Sequence, residues 1–140
     1  MKLLAQSIVI GALMMFGVTS TFARTPAPSD AEVYIISPQD GDTVTSPVAV
    51  RFGLRGMGVA PAGVDKPDTG HHHLLIDTGP PPLDAPIPAD DNHKHFGGGQ
   101  TETIIELTPG KHTLQLILGD KLHIPHEPPV MSRKITITVK

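Results

Sequence analysis

Histidine is the residue type in this sequence with the greatest capacity for chemistry. The 140-residue chain has eight histidines and no cysteine. Seven of the histidines fall in three groups, within residues 71–73, 93–95 and 123–126. Imidazole nitrogens are good ligands for zinc, copper and nickel. The lack of thiolates excludes disulfide frameworks, iron–sulfur clusters and blue-copper centres, so a metal site must use histidine, carboxylate, methionine or backbone oxygen.

Two of the groups contain the spacing His-x-His. Side chains two residues apart in a strand point to the same face of a sheet, so His71 and His73 would lie together while His72 faces the other way. His93 and His95 repeat this spacing, and pairing of the two segments would place three or four nitrogen donors around one cation. The predicted metal ligands are His71, His73, His93 and His95, followed by His123, His126 and Met131.

Methionine bears on the identity of the metal. Met131 follows the third histidine group, and Met57 lies in a predicted loop. Thioether and imidazole ligands together favour Cu(I), whereas methionine also fills irregular gaps in cores. We therefore predict a copper or zinc ion, with copper slightly favoured. Carboxylates could add ligands or accept hydrogen bonds from ligating imidazoles; the candidates are Asp77, Asp90 and Asp91.

Other roles for the histidines remain open. They could form a hydrogen-bond network that pins loops, in a structural or interaction module that binds a cell-envelope protein. They could also line a pocket for a small organic ligand, or sense acid, because imidazoles titrate close to neutral pH. His112 stands alone on a predicted apolar strand face and is interpreted as a core histidine.

The sequence lacks the common catalytic motifs. There is no Gly-x-Ser-x-Gly elbow and no His-Glu-x-x-His helix, and the glycine triplet at residues 97–99 lacks the lysine of a phosphate-binding loop. We therefore predict a binding module and not an enzyme. A formal net charge of −3 argues against nucleic acid as a partner, because nucleic-acid binders are usually basic.

The first residues have the pattern of a secretory signal peptide. Lys2 precedes a nearly continuous apolar run, Leu3 to Val18, and residues 21–23 read Thr-Phe-Ala. This order predicts cleavage after Ala23 and a periplasmic or secreted protein without a membrane span in its mature form. The predicted organisation is a signal peptide at residues 1–23, a flexible segment at 24–30 and one domain at 31–140.

The remaining sequence is typical of a β-protein. Apolar residues alternate in segments such as Val48–Leu54 and Lys134–Lys140, and all fifteen prolines follow residue 23. We predict a single immunoglobulin-like antiparallel β-sandwich of about six or seven strands. Two long irregular segments, residues 55–70 and 78–100, interrupt the strands, and histidines lie at their edges. Loops of this length in a compact domain are often functional.

Three longer motifs carry a family resemblance. They are HHHLLID at residues 71–77, HFGGGQTE at residues 95–102 and LGDKLHIPHEPPVMS at residues 118–132. Together they resemble an uncharacterised family of small exported bacterial domains of unknown function, over roughly residues 53–139. The resemblance implies one exported domain whose defining site contains the histidine and Gly-Gly-Gly-Gln segments. It implies no particular ligand.

Overall fold

The computed structural model describes residues 23–140, and the predicted signal peptide lies almost wholly outside these residues. The described residues contain nine β-strands and no helix, which confirms the all-β prediction. In particular, no helix long and apolar enough to span a bilayer occurs among them. The strands are β1 Glu32–Ser37, β2 Thr43–Val44, β3 Val48–Arg55, β4 Gly58–Val59, β5 Thr69–Ile76, β6 His93–His95, β7 Glu102–Ile105, β8 Gly110–Gly119 and β9 Ile135–Val139.

The strands form two sheets in a sandwich-like arrangement. The smaller sheet has the order β1-β3-β7 and is antiparallel throughout. The larger sheet has the order β2-β9-β8-β5-β4, and β6 also pairs with β5. Its pairs β2–β9 and β4–β5 are parallel, so the larger sheet is mixed and the strand count exceeds the predicted six or seven. The parallel partners β2 and β4 have only two residues each, which is too short for an alternating pattern to reveal them.

The main core lies between the two sheets. Alternate residues of β3 and β8 point into it, including Val50, Phe52, Leu114 and Leu116, all of which are buried. This is the period of two that the sequence shows, with one apolar face on each strand. Burying these faces against each other provides the main stabilisation of the fold.

The opposite face of the larger sheet is covered by loops. A second, smaller cluster lies there, formed by Leu75, Ile87 and Ile117 with Leu83 and Met131 packed against it. Strand β5 is therefore buried on both faces, from Gly70 to Ile76. Its side chains alternate between the main core and this covered outer face.

Residues 24–27 are fastened to the segment that follows β8. The backbone of Thr25 accepts a hydrogen bond from Glu127, and Ala27 donates one back to Glu127, each at 2.9 Å. Arg24 donates to the carbonyl oxygen of Pro125 at 3.1 Å. The flexibility expected of residues 24–30 stays a prediction, and the contacts described here join Arg24, Thr25 and Ala27 to the proline-rich segment after β8.

Candidate metal centre

Strand β5 provides the first two side chains of the site. His71 and His73 lie on its outer face, and both are 1% exposed. In the antiparallel register, His73 stands opposite His95 of β6 on one side and opposite Ile117 of β8 on the other. His71 stands opposite Gly119, the last residue of β8. Sheet pairing therefore brings one histidine of the second group directly beside the first group.

The fourth histidine comes from the turn after β8. His123 has a φ of +66°, in the left-handed region that histidine adopts more readily than most residues. Its backbone N–H donates to the Asp120 carbonyl at 2.9 Å, and its own carbonyl accepts from Ile87 at 2.8 Å. The Asp120 carboxylate accepts hydrogen bonds from the backbone N–H groups of Leu122 and Ile124. These bonds fix the turn so that the His123 ring reaches over Gly119.

Four imidazoles converge at this point. One ring nitrogen from each of His71, His73, His95 and His123 lies within 4.8 Å of the other three. The His71 and His73 Nε2 atoms are 3.0 Å apart, and His71 Nε2 is 3.1 Å from His123 Nδ1. Nitrogens bound to one tetrahedral zinc ion at about 2.0–2.1 Å lie about 3.3–3.4 Å apart. The two shortest separations are therefore close to those of a ligand set, and a small movement of the rings would complete it.

Two glycines make room for the rings. A Cβ atom on Gly119 would lie 2.9 Å from His73 Nε2 and 3.3 Å from the Cα of His123. A Cβ atom on Gly97 would lie 2.7 Å from His95 Nε2. All three distances are shorter than ordinary van der Waals contacts. Residues 97 and 119 must therefore lack a side chain if the imidazoles are to keep these positions.

The two buried histidines of the cluster, His71 and His73, are neutral at physiological pH. Burial is the main cause that lowers the pKa of His71 to about 4 and that of His73 to about 2, with a further contribution from neighbouring imidazoles. The pKa of His95 is also lowered, by partial burial and by His123. A neutral imidazole has a lone pair available for a metal. Protons therefore compete little for the nitrogens of His71 and His73 above pH 6.

Hydrogen bonds alone satisfy this cluster poorly. A ring nitrogen carries either one hydrogen or one lone pair, yet His71 Nε2 is close to both His73 Nε2 and His123 Nδ1. It can form a good hydrogen bond with only one of them. The Nδ1 atoms of His71 and His73 are buried and have no hydrogen-bond partner among the described residues. A cation at the centre would accept lone pairs from all four rings.

The other three predicted ligands lie outside this group. His93 shares the outer face, but it stands opposite Leu75 and its Nδ1 is 2.8 Å from Asp90 Oδ1. His126 Nε2 donates to the Thr69 carbonyl at 3.2 Å. Met131 pairs with Ile117 and packs in the smaller apolar cluster, about two strand spacings, or roughly 10 Å, from His73.

The remaining candidates have structural contacts. Asp77 and His112 bond to each other, with 2.6 Å between Oδ2 and Nδ1, and His112 Nε2 donates to the Thr108 carbonyl at 2.8 Å. His112 therefore fastens a turn and is not a simple core residue. Met57 packs against the main core. Gln100, at the end of the Gly-Gly-Gly-Gln segment, is exposed and accepts a hydrogen bond from the backbone N–H of Gly98.

Sequence reasoning missed three residues that shape the site. Asp120 holds the turn of His123, and Gly97 and Gly119 make room for the rings. Gly119-Asp120 shows in the sequence only as a turn signal at the end of a strand. Gly97 belongs to a triplet that allows many loop shapes. Only the positions of the rings reveal what these residues do.

The fold and the site together define an all-β sandwich with a four-histidine cluster on the outer face of its larger sheet. The chain belongs to the family described as Domain of unknown function (DUF4399), whose model matches residues 50–140. This match includes all four histidines and confirms the resemblance to an uncharacterised domain family. No curated protein and no solved structure matches the chain.

Proposed function

We propose that this protein is an exported metal-binding module that carries, buffers or senses a divalent zinc or copper ion. The convergence of four ring nitrogens within 4.8 Å supports the binding step. The signal-like pattern of residues 1–23 supports export. The ligands would be His71, His73, His95 and His123, which come from two neighbouring strands and one turn.

The types of ligand in the cluster indicate which metal ion the site would bind. Four imidazoles without a thioether or thiolate suit Zn²⁺ and Cu²⁺ better than Cu(I). The sequence preference for copper depended on Met131, which packs against Ile117 instead. Zinc and copper(II) are therefore both retained. The proposed role is binding and not catalysis, because none of the catalytic motifs considered above occurs in the sequence.

Direct metal titration tests the proposal. The purified, untagged protein is titrated with Zn²⁺, Cu²⁺ and Cu(I), and stoichiometry and affinity are measured by calorimetry and by competition with a chromophoric chelator. We expect one Zn²⁺ or Cu²⁺ ion per chain at micromolar affinity or tighter. Binding of all three ions that is substoichiometric or only millimolar would overturn the proposal.

A matched pair of variants locates the site. Replacing both His71 and His73 by alanine should abolish binding, because it removes two buried ligands. His93→Ala should leave the affinity unchanged, because this histidine bonds to Asp90 away from the cluster. Equal losses in both variants would contradict the assigned ligands.

A loop-pinning network is the second candidate function, and specific contacts favour it. His112 and His93 bond to Thr108 and Asp90, which lie between strands, and His126, itself between strands, bonds to Thr69 at the start of β5. If the four clustered histidines serve the same purpose, the alanine pair at His71 and His73 should lower the melting temperature equally with and without metal. A stability difference seen only in the metal-loaded protein would favour the metal site.

A further inference from the structure

The four histidines of the proposed centre differ in their exposure. His71 and His73 are buried, His123 is half-buried and His95 is exposed. His95 lies on β6, a strand of three residues whose one partner strand within residues 23–140 is β5. The other ligands are held by the long strand β5 and by the turn that Asp120 fixes. One ligand is therefore supported by much less structure than the rest.

The hydrogen-bond distances among the rings also set His95 apart from the other three histidines. His71 Nε2 lies within 3.1 Å of a nitrogen of both His73 and His123, so His71 links these two rings, whose own centroids are 6.1 Å apart. No hydrogen bond joins His95 to the other three within residues 23–140. Its ring only packs beside them, at centroid distances of 4.7–5.1 Å.

Metal binding requires a small adjustment of the cluster. Two nitrogens bound to one ion at about 2.0–2.1 Å cannot be more than about 4.2 Å apart, whereas the cluster spreads over as much as 4.8 Å. At least one ring must therefore move inward by roughly half an ångström. His95 is the most exposed of the four rings, so it is the ring that can move with the least disturbance of the packed interior. Gly97 leaves room for the His95 ring where it now lies.

We infer that His71, His73 and His123 form a retained tripod and that His95 is the exchangeable ligand through which the ion enters and leaves. This inference rests on the proposed function. Zinc sites with three protein ligands and one replaceable position are the ones that exchange ligands or act on substrates, whereas structural sites are closed by four fixed ligands. The ligand that replaces His95 would be a water molecule or an imidazole or carboxylate group from solution or from a protein that receives the ion.

Imidazole rescue tests this inference. Zn²⁺ affinity and the rate of Zn²⁺ release to a chelator are measured for the wild type, His95→Gly and His73→Gly, each with and without added imidazole. Loss of a hydrogen bond to a metal ligand already costs about 10- to 100-fold in affinity, so loss of a ligand should cost at least that. We expect His95→Gly to bind more weakly, to release the ion at least about tenfold faster and to regain affinity with imidazole. His73→Gly should lose binding without rescue, because its position is closed to solvent.

A second pair of variants tests the position of His95 without removing it. Gly97→Ala places a methyl group against the His95 ring, whereas Gly98→Ala meets only the flexible Gln100 side chain. Neither glycine has a positive φ, so alanine does not strain the backbone. We expect faster Zn²⁺ release in Gly97→Ala and wild-type release in Gly98→Ala.

The outcomes separate the two proposals. If the wild type binds no metal, the proposed function fails. If the wild type binds but imidazole rescues neither variant, or rescues both equally, the exchange role of His95 is overturned while the metal site stands. The folded state of each variant is checked by its melting temperature without metal, so a misfolded variant is identified and is not counted as a loss of binding.

Discussion

The two faces of strand β5 carry the same residue type and use it in opposite ways. On the outer face, His71 and His73 meet the imidazoles of His95 and His123. On the core face, His72 packs against Phe52 with ring centroids 5.1 Å apart, and neither of its nitrogens has a hydrogen bond of good geometry among the described residues, although the Gln100 backbone lies near enough to raise its pKa slightly. Burial is the main cause that lowers the pKa of both His71 and His72 to about 4. A low pKa therefore does not identify the site, and what distinguishes the outer face is the convergence of several lone pairs.

The largest expected difference between the two faces is in metal binding. His73→Leu should lower Zn²⁺ or Cu²⁺ affinity by at least about 100-fold, because it removes a buried ligand. His72→Leu should leave the affinity within about twofold, because its ring lies on the other side of the sheet. Calorimetric titration of both variants measures this contrast. An equal loss in the two variants would remove the distinction between the faces.

Gly119→Ala should disturb the outer face alone. The added methyl group would lie 2.9 Å from His73 Nε2, so the ring must move and metal affinity should fall by about 10- to 100-fold, as for a lost positioning contact. Gly79→Ala is the control, since a side chain there meets nothing within 4 Å. Chelator competition measures both affinities. Wild-type affinity in Gly119→Ala would show that the ring can adopt another position and still bind.

Low pH should destabilise the metal-free protein through the buried histidines on both faces of β5. Burial lowers the pKa of His71 and His72 to about 4 and that of His73 to about 2, from the ordinary 6.5. Between pH 6.5 and 4 the unfolded chain therefore binds protons that the folded chain does not, so stability falls as the pH falls. Each of these histidines contributes up to about 1.4 kcal/mol per pH unit.

Denaturant unfolding over this pH range measures the effect. His72→Leu should lower by about one the number of protons taken up on unfolding, so the free energy of unfolding should depend less steeply on pH. Bound metal should make the dependence steeper, because the ion keeps the outer-face nitrogens unprotonated in the folded state and these nitrogens take up protons when the protein unfolds. A free energy of unfolding that is constant over the range would contradict the expected burial of these rings.

The smallest expected effect is a change in stability when His72 on the core face of β5 is replaced. His72→Leu should stabilise the protein by about 1–2 kcal/mol, since a buried ring with unpaired nitrogens is replaced by an apolar side chain of similar size. The melting temperature without metal measures this change. Destabilisation by a similar amount would show that His72 forms a stabilising hydrogen bond, for which the Gln100 backbone is the nearest candidate.

The sequence predicts some parts of the site better than others. Alternation placed His71 and His73 on one face because β5 is a regular strand. It also placed His93 and His95 on one face, but it could not supply the register of β6. In the observed pairing His95 stands opposite His73, so His93 falls beside Leu75 and not beside His71. A shift of two residues would have aligned both pairs.

The position of His123 could not be predicted by periodicity. It belongs to a turn with a left-handed backbone, and its direction depends on hydrogen bonds to the Asp120 side chain and backbone. Sequence reasoning ranked His123 with His126, three residues later, although the two rings lie apart. The smaller strands β2 and β4 were missed for a related reason, because two residues are too few to show a pattern.

The histidine triplet at residues 71–73 also affects the register in which β5 pairs with β8. A one-residue slip of β5 against β8 would exchange its two faces. His72 would then stand alone on the outer face, and two imidazoles would enter the apolar core. Because the swapped residues are all histidine, side-chain size does little to oppose this error. The opposition comes from polarity, because the slip would bury two imidazoles in the apolar core, where the observed register buries one. In this protein the cost of burying unpaired ring nitrogens thus helps to select the correct pairing.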